Sequence, residues 1–126
     1  MGAVLIPMAC FGCAETSEPD PDAPPPSYLG IETRLLDESL VEISVSLKGA
    51  RSIDDVTTYA DCGVAQYTLI RDFGFARHLR TNTQEKGGVT RADAVYTISK
   101  SLPDGLSTID AKTTVADCLS AGIPTV

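Results

Sequence analysis

Residues Glu15–Ser27 (ETSEPDPDAPPPS) limit what this chain can fold into. They carry five prolines, four carboxylates and no large apolar side chain, too little buried surface to offset the entropy of ordering them. The stretch therefore reads as a disordered tether, and any core is confined to Tyr28–Val126. Those 99 residues suffice for one domain with a modest core and are too few for two. Proline favours extended polyproline II at about 3.1 Å per residue, so the tether can reach roughly 40 Å from Cys13.

Upstream, the uncharged run Ala3–Phe11 (AVLIPMACF) is too short to cross a bilayer, which takes roughly 20 apolar residues, but fits a signal-peptide core of about 7 to 15. Gly12-Cys13 resembles the bacterial lipobox, a small residue followed by the cysteine that is acylated as the signal is cut away. Cys10 and Phe11 stand where that pattern has a leucine and a small residue. No Lys or Arg precedes Arg34, so a basic signal segment is expected upstream of Met1. The chain divides into a signal-peptide remnant (1–12), the lipid-attachment cysteine with its acidic tether (13–27) and a single domain (28–126). The expected partner of Cys13 is a lipid bilayer. Ala14 is not the aspartate that resembles an inner-membrane retention signal, which points to the outer membrane, facing the periplasm.

Of four cysteines, export discards Cys10 and acylation consumes Cys13. Cys62 and Cys118 remain, and a lone pair in an oxidising compartment is expected to form a disulfide. The alternative is a metal: Cys62, Cys118 and His78 supply three ligands without CxxC or HxxxH spacing, where structural zinc takes four. No metal and no cofactor is assigned. The net charge of −7 puts −4 on the tether and −3 on the domain, which argues against nucleic acid as a partner.

Inside the domain the hydrophobic period changes along the chain. Ile31–Leu35 and Val41–Leu47 alternate and form a hairpin turning near Asp37–Ser39. Ser52-Ile53-Asp54-Asp55 reads as a helix start with Ser52 as cap, and Ile53, Val56, Ala60, Val64, Tyr67 and Ile70 recur every three to four residues. One amphipathic helix, about Ile53–Asp72, closes at Gly74. Alternation resumes from Phe75 to about Thr83, Gln84–Gly88 turns, and Val89–Ser99 forms a strand with Ala92, Ala94, Tyr96 and Ile98 on one face. After a turn at Leu102–Gly105, a last strand is expected from about Thr108 to Asp117, followed by a helical turn and an irregular end. The fold class is α+β, ordered ββαβββ, an antiparallel sheet covered on one face by a single long helix. The cysteine pair would staple that helix to the last strand.

The segments Tyr59–Tyr67 (YADCGVAQY), Phe73–His78 (FGFARH), Ala92–Ile98 (ADAVYTI), Ala116–Cys118 and Gly122–Pro124 resemble small Gram-negative envelope lipoproteins of unassigned activity. The resemblance covers the domain. It implies an envelope location and a cysteine pair, and it carries no enzymatic motif and no ligand-binding residues.

The sequence contains no GxSxG, GxxxxGK[ST], GxGxxG or HExxH motif and a single histidine. No catalytic residue is assigned. The expected function is a non-enzymatic binding or structural module. A different class remains open: a small periplasmic enzyme using His78 as general base, oriented by Asp61, Asp72 or Asp93. Charge offers a further lead, because Arg71, Arg77, Arg80, Lys86 and Arg91 face only Asp72 and Glu85 within one segment of an otherwise acidic domain. Arginine forks bind carboxylates and phosphates in pairs of hydrogen bonds, so Arg80, Lys86 and Arg91 are the candidate contacts for anionic envelope components. Strict alternation puts Arg77 on the face opposite Arg80.

Overall fold

The alternation of Val41, Ile43, Val45 and Leu47 produces the strand around which the molecule is built: all four are fully buried, with Glu42, Ser44 and Ser46 on the other face. The computed structural model describes residues 2–3, 24–103 and 108–126. In it the chain forms β1 (Ser27–Asp37), β2 (Leu40–Lys48), α1 (Ile53–Ile70), β3 (Phe75–Lys86), β4 (Val89–Ser99), β5 (Thr108–Asp110) and α2 (Ala111–Ala121). The strands make one curled antiparallel sheet in the order β1-β2-β4-β3-β5. The two hairpins turn on two residues each. In the second these are Gly87 and Gly88, both at positive φ (61° and 79°), as the favoured tight turn between strands demands; β3 therefore runs past Thr83 to Lys86.

The α+β class and the antiparallel sheet agree with the sequence, but the C-terminal assignment does not. Residues expected to form a strand to Asp117 are helical from Ala111 onward. The Asp110 carboxylate caps the helix by accepting from the Thr113 N–H at 3.2 Å, and Gly122, at φ 70°, ends it. The described residues therefore form two helices, not one: α1 packs on the sheet, and α2 packs against α1 and β5. The Cys62–Cys118 disulfide spans them, Cα to Cα 6.0 Å, both cysteines buried, so it staples helix to helix and not helix to strand.

Two finer expectations also change. Ser52 occupies the N-cap of α1 without a side-chain hydrogen bond; Asp55 instead accepts from the Arg51 N–H at 2.9 Å and pairs with its guanidinium. The left-handed residue that closes α1 is Asp72 (φ 65°), not Gly74, with the Phe73 N–H donating to the Thr68 carbonyl at 2.9 Å. Aspartate is one of the few residues other than glycine that visit this conformation.

The core joins β2 to Ala92, Ala94, Tyr96 and Ile98 of β4 and to Val56, Tyr59, Ala60 and Val64 of α1. Small residues set the approach. A Cβ on Gly63 would lie 3.1 Å from Ile31 Cγ2 and 3.2 Å from Ile43 Cγ2, so glycine lets α1 sit directly on β1 and β2. Tyr28 fixes the start of β1 by packing edge to face on Tyr59, centroids 4.8 Å apart.

Candidate functional site

One irregularity positions the side chains that matter. In the β3–β4 ladder His78 pairs with Tyr96, but the next pair is Arg80 with Val95, followed by Thr81 with Ala94. Leu79 is an extra residue, half exposed, bulged out of the ladder. His78 and Thr81, three apart in sequence, therefore both face the helices, and His78 Nε2 hydrogen-bonds the Thr81 hydroxyl. Arg77 and Arg80, likewise three apart, both face solvent, because their partners Thr97 and Val95 share a face. That corrects the expectation from strict alternation, which placed these arginines on opposite faces.

On the inner side the bulge opens onto a cleft of about 440 Å³. β5 pairs with β3 only from Phe75 to Arg77, so beyond that point one edge of β3 is open while the other stays paired with β4. Thr57 and Asp61 of α1 form one wall, His78 and Thr81 of β3 with Tyr96 of β4 the floor, and Thr108 and Ile109 of β5 the end. The Tyr96 hydroxyl donates to Asp61 Oδ1 at 2.7 Å, and the His78 ring stands edge to face on the Tyr96 ring at 5.4 Å. The Thr108 hydroxyl oxygen is buried in the wall without a partner among the described residues.

Burial raises the Asp61 carboxyl above the usual range, opposed by the Tyr96 hydrogen bond and the nearby imidazole of His78. Burial, with the negative charge of Asp61 beside it, pushes the Tyr96 phenol far up, so it stays a donor. A carboxyl that holds its proton to higher pH when folded makes the folded state lose stability as pH climbs from the ordinary carboxylate range, about 3.9, through the raised value. Asparagine cannot ionise. Asp61→Asn, which keeps an oxygen for Tyr96, is thus expected to melt above wild type at pH 7, with the gap closing as pH falls toward 3. A gap that grows on acidification in thermal melts contradicts this.

Of the three carboxylates considered as orienters for His78, Asp61 alone shares its cleft, and its hydrogen bond goes to Tyr96. Asp93 lies on the outer face, accepting from Ser44 Oγ at 2.6 Å and pairing with Arg91 at 3.3 Å. Asp72 lies at the end of α1. Tyr96, Thr81, Thr57 and Thr108 were not singled out by sequence. Thr57 and Asp61, one helical turn apart, carried the only local signal.

On the outer face the register aligns Arg77, Arg80 and Lys86 along β3, with Arg91 one strand inward opposite Gln84. Among the described residues the first three enter no ion pair, whereas Arg91 is engaged by Asp93. The β1–β2 half of this face is mixed in charge, with Arg34 held by Glu42 at 3.0 Å. Among the described residues there is no group of three or more His, Cys, Asp or Glu side chains that could hold a metal ion, and no helix is long and apolar enough to cross a membrane. Cys13 and most of the tether lie outside the described residues.

Comparison with known proteins gives two matches. The model of the family described as the YNQ4 C-terminal domain matches residues 28–122. The uncharacterized 26.9 kDa protein in the nqo8 5′ region of Paracoccus denitrificans is 33% identical over 87 residues, covering 69% of this chain and 34% of that protein. The chain thus spans about a third of the length of this curated relative. No solved structure matches.

Proposed function

We propose that this chain, which belongs to the YNQ4 C-terminal domain family, is the non-enzymatic binding module of an envelope lipoprotein, held to the membrane through Cys13 and recognising anionic envelope components. The observation that carries this reading is the register of β3, which gathers Arg77, Arg80 and Lys86 on one solvent-facing strand beside Arg91. Exposed cations that are not spent on neighbouring carboxylates remain available to phosphate or carboxylate groups, and an open sheet face suits an extended anionic surface better than an enclosed small molecule. The composition of the tether supports the same picture: four carboxylates and five prolines disfavour its own docking on anionic headgroups. Catalysis is disfavoured because His78 bonds a threonine, and the carboxylate nearest to it in the cleft is engaged by Tyr96.

The test has two arms, vesicles containing anionic lipid and soluble cell-wall fragments, each titrated with the purified protein between about 50 and 200 mM salt. Binding in one arm should weaken as salt rises. Arg77→Glu with Arg80→Glu should reduce it about tenfold or more, given roughly 1 kcal/mol per basic residue near an anionic surface. The reading fails if binding is salt-insensitive, if the double variant binds like wild type, or if neither arm binds.

A further inference from the structure

The inner cleft has a chemistry opposite to that of the outer face, and its hydrogen-bond inventory specifies a ligand class. The donors on the Asp61 side are spent. The Tyr96 proton goes to Asp61 Oδ1 and the Thr57 hydroxyl donates to the Asp54 carbonyl at 3.2 Å, while the single His78–Thr81 bond leaves one donor of that pair over and the Thr108 hydroxyl has no partner among the described residues. Acceptors remain. Asp61 has a second carboxylate oxygen that is not sealed from the cleft and has no partner among the described residues, and the Thr57 oxygen stands one helical turn away on the same face. Among the described residues no lysine or arginine lines the cleft. Asp61 also borders an apolar groove of about 270 Å³ between α1 and α2, lined by the disulfide, Ala121 and Ile123, whose only other charge among the described residues is Asp117.

From this we infer that the cleft is a binding site for a small organic ammonium compound, its –NH₃⁺ held by Asp61 and Thr57 and its short apolar stem lying along the disulfide groove. An ammonium brings three donors, which suit the open acceptors of Asp61 and Thr57, and its charge compensates a half-buried carboxylate that enters no ion pair among the described residues. A carboxylate ligand meets like charge here, and an alcohol of the same length forfeits the charge-assisted bond. The inference does not rest on the outer-face reading. Each can fail alone.

The experiment titrates hexylamine, hexanol and hexanoate into the purified full chain at pH 7, following the ring resonances of His78, the chain's single histidine. Hexylamine should produce a saturable shift, with hexanol and hexanoate weaker by about tenfold or more, the usual worth of a hydrogen bond to a charged group. Asp61→Asn, which preserves the acceptor for Tyr96, should lose hexylamine by the same factor while keeping its circular dichroism and its disulfide. Three results overturn the assignment: no saturable shift, hexanol or hexanoate binding as well as hexylamine, or undiminished binding in a folded Asp61→Asn. Should that variant fail to fold, the three-probe comparison on wild type decides by itself.

Discussion

Replacing Cys62 and Cys118 together by alanine is expected to lower the unfolding free energy by about 4 kcal/mol. The two positions are 56 residues apart, and closing a loop of that length removes entropy from the unfolded chain in proportion to the logarithm of its length. A domain this small has roughly 5 to 15 kcal/mol in total, so much of the folded population at 37 °C is at stake. The effect should concentrate on α2, whose own buried residues are few: Ala111 and Cys118 alone among its eleven. Urea titration of oxidised wild type, reduced wild type and the double variant measures the loss. If the three agree within about 1 kcal/mol, the staple is dispensable and packing alone holds α2 in place.

The second large effect is expected at Gly63. Its missing side chain is what lets α1 rest on Ile31 and Ile43, where even a Cβ would come within 3.1–3.2 Å of three side-chain carbons. Valine adds two further methyl groups to that contact, and overpacking of this kind costs about 3 kcal/mol by forcing strained rotamers or a backbone shift. Alanine should be much milder, since its better helix propensity returns about 1 kcal/mol against the crowding. A denaturation series of wild type, Gly63→Ala and Gly63→Val checks the order. A valine variant as stable as wild type would mean that α1 can lift from the sheet without loss.

How much of this was legible in the sequence depends on the kind of interaction that decided each element. The β2 run from Val41 to Leu47 was clear because one face is buried and the pattern is strict; β4 was equally clear from Ala92, Ala94, Tyr96 and Ile98. The segment after Thr108 was misread because Thr113, Thr114 and Val115 favour strands locally, while the features that make it helical are a cap at Asp110, a left-handed Gly122 and a covalent tie to α1. Only the first two of these leave a mark in the neighbouring letters. The cleft was half visible: His78 and Asp61 were both named as candidates, yet Tyr96 counted only as a core residue, and nothing in the order of residues announced that Leu79 falls out of the ladder. The disulfide followed from counting cysteines, although the element it ties down did not.

Leu79 is not alone. The β1–β2 ladder skips Leu29 and Leu36 in the same way, and all three leucines are about half exposed and lie in strands that border open edges of the sheet. A strand ordinarily cannot gain or lose one residue, because the whole sequence beyond that point would swap faces. A residue that stands outside the pairing count is exempt. Shortening the chain by Leu29, Leu36 or Leu79 would leave every later side chain on its present face, so a single-codon deletion at these points is a silent change of parity. Strand length at the sheet's margins is thus free to change by one residue, whereas a deletion between Val41 and Leu47, where there is no such slack, turns buried side chains outward.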